Sequence, residues 1–525
     1  MIVNFFKLNT ESDNPISKTI VLANSVSMAI TKLLSITVFI WVQQYLLKRI
    51  SPDEYAIYAI VSSLVFLLPF ITSALVSAGV RFMVYEYTRR DFEKMNKVLS
   101  TSIILNSCVG LVMLLVSLFA VFHLDSLLKV APQYLDDAKL MFVIIIITFV
   151  INFAFTPFGL GLHVAQKLVI KNIIDLFVEI LKITLLFSLL FAVSTKALWL
   201  VLANSVALLL ALIIRIALSK KIIPQMRFSI RYFDKSFIGK FLSFGGWNSI
   251  ILLSRYLRNF AALFLLNRFG SSVDVSSFNI GRFVSRQTLQ VWEPVRASIG
   301  APLIAMYSKD QFQRLNDTYL KGSRLAMWMT GFVVFPAIIF SESFVKLYAG
   351  EFYLNAAYII VALLAIIPFQ MLNAMLPQIS AAMDRQKGLA IRMLVIQLIN
   401  LVIMYYILVI LDLTVVEMAI SIAVVNIIGE LFVITFFAKE NLNIQFSDIL
   451  KKGLLPGVLP GVLASLYWLA VNYAVETIAS FFMLGFIIIP GLVIQLYGVY
   501  LFGLKQDKDK MRGVFTKLKS MLLKK

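Results

Sequence analysis

The chain has 525 residues, 60% of them hydrophobic and only 14% charged, with a formal net charge of +20. A soluble domain carries about a quarter charged residues, so this composition excludes one; apolar runs long enough to cross a ~30 Å hydrocarbon core recur from end to end. A transmembrane β-barrel is excluded too, because its signature is alternating segments of about ten residues.

In chain order, residues 1–18 are polar, mixed in charge, and read as a tail and not as a signal peptide. Six apolar spans are expected within 19–228, near 19–46, 55–80, 98–123, 140–162, 169–193 and 197–219. Six more are expected within 229–447, near 237–267, 273–303, 325–348, 353–381, 388–411 and 413–438. Residues 448–503 hold two further spans, near 454–475 and 478–503, with Gly457 and Gly461 spaced for close helix packing. In the tail 504–525, Met511, Val514, Phe515, Leu518, Met521 and Leu522 lie among lysines. They read either as an amphipathic helix on the membrane surface or as a solvated basic tail. The expected architecture is thus an all-α polytopic membrane protein of about fourteen helices: two pseudo-symmetric six-helix bundles and a C-terminal pair.

Basic residues orient the chain. With the N-terminus inside, 34 of the 48 Lys and Arg residues fall on cytoplasmic connections and 7 on outer ones. Both termini are then cytoplasmic. The same bias accounts for the net charge by attraction to anionic lipid, so no nucleic-acid partner is expected. Cys108 is the only cysteine, which excludes an intramolecular disulfide. His123 and His163, the only histidines, make no metal site.

The chain resembles itself at an offset of 220. Tyr87, Phe92 and Asn96 match Tyr307, Phe312 and Asn316, and Pro157, Gln166, Lys167 and Gln225 match Pro377, Gln386, Lys387 and Gln445. Six spans per repeat give both halves one orientation, with the symmetry axis along the membrane normal. Parallel-repeat transporters place substrate between their halves near the midplane.

Five arginines lie within the spans around that interface: Arg255 and Arg258 near 237–267, and Arg282, Arg286 and Arg296 near 273–303. A charge at bilayer depth costs roughly 2.5–3.5 kcal/mol, so an aqueous cavity lined by them is expected. At 100° per residue, Asn279, Arg282, Arg286, Gln290 and Glu293 share an arc of roughly 80°, with Arg296 at its edge and Trp292 off it. Asn248, Arg255 and Asn259 share a stripe flanked by Arg258, and Lys32 adds a cation to the first span. A structural role stays open: arginines near span ends snorkel, and Glu293 can neutralise Arg286 or Arg296. At offset 220, however, Arg255, Arg282, Arg286 and Glu293 map to Ser35, Ser62, Phe66 and Ser73. The cationic stripe belongs to the second half alone. Guanidinium groups suit phosphate through paired hydrogen bonds, and Asn248, Asn259, Gln290 and Trp292 would serve sugars.

Other charges lie within spans. Asp175, Glu179 and Lys182 share a face and can pair with one another; a structural ion pair is the plainer reading and an ion relay the functional one. Glu430, with Asn426, is a second candidate for ion coupling. The chain has no phosphate-binding loop for a nucleotide, so a proton or sodium gradient, or the substrate's own gradient, is the expected driving force, with no cofactor.

The stretch from Ile50 to Tyr58 (Ile-Ser-Pro-Asp-Glu-Tyr-Ala-Ile-Tyr), followed by Ala78-Gly79-Val80-Arg81-Phe82, resembles the start of polysaccharide-transport flippases. These belong to the multidrug/oligosaccharidyl-lipid/polysaccharide (MOP) exporter superfamily. The family pattern is Leu-Gly-Pro-x-Glu-Tyr-Gly-x-Tyr, then Gly-x-x-Arg-Phe. Here Ser51 and Ala56 replace glycines and Gly79 stands one residue closer to Arg81. The resemblance runs over 18–447. It implies two bundles in a V, working by alternating access, and export of undecaprenyl-diphosphate-linked oligosaccharide for O-antigen, capsule or exopolysaccharide across the bacterial inner membrane. It also implies a central cavity carrying Lys32, Arg255, Arg258, Arg282 and Arg286. Membrane lipids, a polysaccharide polymerase and chain-length proteins are the further partners it implies. Fourteen-span relatives include lipid II flippases, to which no close match is seen.

Two other functions compete with this one. A multidrug exporter on the same fold favours acidic cavities for cationic drugs, against the basic stripe here. A membrane polymerase or ligase needs catalytic groups in an outer loop, and the longest such loop, near Asp125–Lys139, has no base–nucleophile pair. The reading is therefore of a non-enzyme.

Overall fold

The computed structural model describes residues 41–508, apart from 43, 66–67, 129, 166, 195, 294, 297–302, 304–305, 308–309, 384, 476 and 506. For some residues inside helices, Asn248 and Asn259 among them, only the backbone is described. Lys32, most of the first expected span and the tail from 509 lie outside the described residues.

The principal helices are α1 (Pro52–Val65), α2 (Leu68–Thr88), α3 (Phe92–Phe122), α4 (Leu135–Gly159), α5 (Leu168–Ala192), α6 (Leu198–Ile222) and α7 (Ser236–Phe269). They continue as α8 (Ser272–Gln290), α9 (Phe312–Ile339), α10 (Asn355–Ala365), α11 (Gln386–Tyr405), α12 (Val415–Ile428), α13 (Leu455–Ala474) and α14 (Phe481–Phe502). Among the described residues, ten helical segments are long and apolar enough to cross a membrane. Two of the remaining expected spans fall short for an evident reason. Helix α5 carries Lys171, Asp175, Glu179 and Lys182, and α8 carries Asp274, Arg282 and Arg286.

Polar residues mark several helix starts. Asp91 accepts from Lys94 N at 3.0 Å before α3. Ser271 and Asp274 form a capping box before α8, and Thr414 and Glu417 another before α12.

The 220-residue repeat is visible as equivalent contacts. Tyr87 and Phe92 form an edge-to-face pair at 6.2 Å, and Tyr307 and Phe312 form another at 5.9 Å. Arg90 and Asp310 both take left-handed backbone, at φ 60° and 52°. Each closes the same turn, with Asp91 N donating to Glu86 O and Gln311 N to Met306 O, both at 3.0 Å. Asn96 Nδ2 donates to Gln225 O at 3.0 Å and Asn316 Nδ2 to Leu442 O at 2.9 Å. Each asparagine thus holds the segment that leaves the sixth helix of its half.

The halves meet where α1 and α2 pack on α7 and α8. Phe82 stacks on Phe241 at 5.7 Å, and Asn279 Nδ2 donates to Tyr55 OH at 3.1 Å. Helices α13 and α14 pack on each other and on α9. A side chain at Gly457 would overlap Met327, and one at Gly461 the ring of Phe335, so both glycines are needed for the approach of α13 to α9. The C-terminal pair is pinned by buried Arg324 of α9, which pairs with Asp507 at 2.8 Å and donates to Lys452 O at 2.6 Å.

Three expectations need correction. The span near 273–303 is not one continuous helix: α8 ends at Gln290 and a turn at Val291–Trp292 precedes Glu293. A single wheel therefore does not extend to Glu293 and Arg296. The span near 353–381 is broken as well, with α10 followed by short helices Ile367–Leu372 and Leu376–Ala382 on either side of Asn373. Pro368 and Pro377, each within the first turn of its short helix, suit these interruptions. Lastly, Asp175 does not pair with Lys182. Its carboxylate takes Lys171 at 2.6 Å and Arg215 of α6 at 2.5 Å, and Lys182 pairs with Glu179. Lys171 sits one turn before Asp175, and Arg215 reaches it from the neighbouring helix.

Candidate functional site

Arg255, Arg258, Arg282, Arg286 and Arg296 all line one cavity of about 400 Å³. Helix α7 contributes Ser254, Arg255, Tyr256 and Arg258, and α8 contributes Arg282, Ser285, Arg286 and Gln290. Trp292 in the turn, and Glu293 and Arg296 past it, line the same space. The opposite wall comes from the broken tenth span, α11 and α12, with Gln370, Asn373, Gln397, Asn426 and Glu430. Among the described lining residues, five arginines face two carboxylates, so the cavity is cationic. The desolvation that lipid would impose on these groups is relieved by a water-accessible space.

The arginines differ in their partners. Arg296 pairs with Glu293, three residues before it. Arg258 Nη1 donates to Asn426 Oδ1 at 3.0 Å, and that oxygen also accepts from Gln397 Nε2 at 3.1 Å. Gln397 Oε1 accepts in turn from Asn400 Nδ2 at 3.1 Å. Arg258 is therefore anchored in an amide network inside the second half. Arg282 is buried, and its Nη2 donates to Asn279 Oδ1 at 2.9 Å, completing a chain from Tyr55 through Asn279. Arg255 is exposed to the cavity and Arg286 is half-buried.

Arg282 and Arg286 also border a second cavity of about 600 Å³. Its walls come from the first half and carry Tyr58, Thr148, Asn152, Thr156 and Asn204 among apolar side chains, with Lys182 as the one charged residue from that half among the described lining. The two arginines thus stand where the two cavities adjoin. The sequence reading missed Asn152, Asn204 and Asn373 because single amides within apolar runs carry no signal until the opposing helix is known.

Of the sugar candidates, Gln290 and Trp292 line the arginine cavity, while the side chains of Asn248 and Asn259 lie outside the described ones, as does Lys32. Of the ion-coupling candidates, Glu430 lines the same cavity and Lys182 the second one; Asp175 and Glu179 line neither and are held in ion pairs. Trp292 lies off the α8 arc yet lines the cavity.

Comparison with known proteins places this geometry. Residues 24–187 match the MatE family model. The uncharacterized membrane protein EpsK of Bacillus subtilis (strain 168) is 27% identical over 221 residues, 42% of this chain and 43% of that protein. The match therefore spans under half the length of this curated relative. The lipid II flippase MurJ, in an inward closed conformation, superposes with a TM-score of 0.66 at 15% identity, covering 92% of this chain and 98% of that one. A multidrug resistance MATE family transporter of the MOP superfamily, inward-facing, gives 0.61 at 14% identity over 82% of this chain and 96% of that one. A MOP superfamily transporter from Pyrococcus furiosus, described by the reverse polarity of its binding pocket, gives 0.64 at 14% identity over 82% and 96%. The chain is a multi-pass membrane protein, helical throughout its described segments, with the fold shared by the MATE family transporter and MurJ.

Proposed function

We propose that the protein is a flippase for undecaprenyl-diphosphate-linked oligosaccharide, the repeat unit of an O-antigen, capsule or exopolysaccharide. It carries this lipid from the cytoplasmic to the outer leaflet of a bacterial inner membrane by alternating access, with both termini cytoplasmic. One observation carries the reading: four arginines from two adjacent helices, and Arg296 just beyond the second, converge on one cavity that has only two carboxylates among its described lining. Planar guanidinium groups bind diphosphate through paired hydrogen bonds. Arg255, Arg282 and Arg286 form the anion site in this account. Arg258, held by Asn426, and Arg296, held by Glu293, form its margin, with Lys32 as a further cation. The glycan is served by Gln290 and Trp292, by Asn248 and Asn259, and by the amides and hydroxyls of the adjoining cavity. The prenyl tail stays in the bilayer. An ion gradient, of protons or sodium, drives the cycle, and the product passes to a polymerase and chain-length proteins.

Replacing Arg282 and Arg286 together with Ala tests this in a cell whose surface glycan depends on the protein. Export should stop while the variant still inserts at normal level. Unchanged surface polysaccharide would overturn the proposal.

A lipid II-type precursor flippase is a second reading, favoured by the longer overlap with MurJ, 92% of this chain against 82% for the multidrug transporter. Both readings use a prenyl diphosphate, and the exported glycan separates them. The multidrug reading has the MATE fold in its favour, but cationic drugs would meet a cationic cavity.

A further inference from the structure

Of the two carboxylates that line the arginine cavity among the described residues, Glu293 is committed to Arg296. Glu430 is different. It is half-buried and accepts from Asn373 Nδ2 at 3.0 Å, with no ion pair among the described residues. Its surroundings are specialised. Glu430 sits in a π-helical segment, Gly429–Ile434, that continues α12, and such segments recur at functional sites. Its partner Asn373 lies at the break of the tenth span. Tyr319 OH of α9 donates to Asn373 Oδ1 at 3.2 Å, and Thr435 Oγ1 donates to Glu430 O at 2.8 Å. At offset 220, Glu430, Asn373 and Tyr319 map to Leu210, Phe153 and Leu99, so the cluster is not part of the repeat's common framework.

Among the described residues, the charged and titratable groups that face Glu430 are Arg255 and Arg258 of α7 and Tyr319 of α9. Helix α11 and segment Ile367–Leu372 present Gln397 and Gln370 to the cavity, and α12 presents Asn426. A carboxylate there has two states. Ionised, it cancels one of the cationic charges that an anionic ligand needs. Protonated, it leaves them uncompensated.

We propose that Glu430 is a proton-binding site linked to the anion site, so that the cavity takes up a proton together with a diphosphate. The inference rests on the reading of the cavity as an anion site. Linkage makes the effect reciprocal: the anion strengthens proton binding by the factor by which the proton strengthens anion binding. Acidity on the side where the cavity is open would load it and a rise in pH would release the anion; a proton carried out with the lipid opposes an inward proton gradient, which narrows the driving force to sodium or the lipid's own gradient.

The experiment measures inorganic pyrophosphate binding to purified full-length protein in detergent, from about pH 5.5 to about pH 8.5. It compares wild type, Glu430→Gln, Glu430→Asp, and the Arg282→Ala/Arg286→Ala double variant. Pyrophosphate itself titrates, so the quantity read is the ratio of wild-type to Glu430→Gln affinity at each pH. Wild type should equal Glu430→Gln at the acid end and bind about five-fold or more weakly at the alkaline end, the lower bound of ordinary coupling between sites. Glu430→Asp should keep the pH dependence, which separates proton binding from a role in packing. A ratio that stays flat across the range overturns the Glu430 proposal while leaving the anion site standing, provided the double arginine variant has lost binding. Pyrophosphate binding that is equal in wild type and the double arginine variant overturns both.

Discussion

The two halves of the molecule share their turns and differ in their cavity walls. Tyr87–Phe92 and Tyr307–Phe312 make the same ring contact, and Arg90 and Asp310 the same left-handed turn. Where the first half has Ser62 and Phe66, the second has Arg282 and Arg286, and where it has Leu210 and Phe153, the second has Glu430 and Asn373. Positions that fix the path of the chain recur across the repeat. The charged and amide residues that face the arginine cavity do not. Recurrence across the repeat therefore marks framework, while residues confined to one half include both the cavity's charges and a structural pair such as Arg324 with Asp507.

The largest effect expected is in the second half's cavity. Hydrogen bonds to charged groups contribute about 1.5–3 kcal/mol each. Removing both Arg282 and Arg286 should then weaken diphosphate binding by about 10²–10⁴-fold, read by titration of purified protein. A loss under ten-fold would mean that these two residues are framework after all. Next comes Arg324, also specific to the second half, where offset 220 gives Ile104. Its buried pair with Asp507 ties α9 to the chain beyond α14. Arg324→Ala should destabilise the protein by about 3–5 kcal/mol, because it leaves a buried charge without its partner. Thermal unfolding in detergent measures this, and Arg324→Met with Asp507→Leu should recover much of the loss.

The framework pair is a finer test. Asn96 both donates to Gln225 O and accepts from Arg227 N at 2.9 Å, whereas Asn316 donates to Leu442 O. Each replacement by Ala should cost about 1–3 kcal/mol, with Asn96→Ala the more damaging, and neither should alter the affinity of folded protein for diphosphate. The smallest effect is expected at Ser62→Ala, the first-half counterpart of Arg282. Binding should stay within about two-fold, since no charge–charge hydrogen bond is lost. A large loss there would break the contrast between the halves.

Composition and the length of apolar runs made the helical membrane fold legible, because a bilayer permits few spanning structures. The arginine cavity was legible for a related reason. Charges within apolar runs are costly enough to demand a common aqueous space, and Arg255, Arg258, Arg282, Arg286 and Arg296 do line one. Their partners were not legible. Arg258 finds Asn426, 168 residues away, and Asn279 finds Tyr55, 224 away. Such pairings depend on how distant helices pack, which local pattern does not encode. The breaks at Val291–Trp292 and Asn373, and the π segment at Glu430, were hidden as well. Pro368 and Pro377 flank the break at Asn373 without fixing where the chain interrupts, and a single wheel drawn over 273–303 takes no account of the turn at Val291–Trp292. Asp175, Glu179 and Lys182 share a face, but the partners of Asp175 are Lys171 and Arg215, the latter on the next helix, which the local spacing does not encode.

The central claim is that the arginines of α7 and α8 hold a prenyl diphosphate. Native mass spectrometry of the purified protein with undecaprenyl diphosphate and with undecaprenol tests it most directly. The account predicts a one-to-one complex with the diphosphate lipid, no stable complex with the alcohol, and loss of the complex in Arg282→Ala/Arg286→Ala. Equal retention of both lipids, or retention by the double variant at wild-type level, would contradict it.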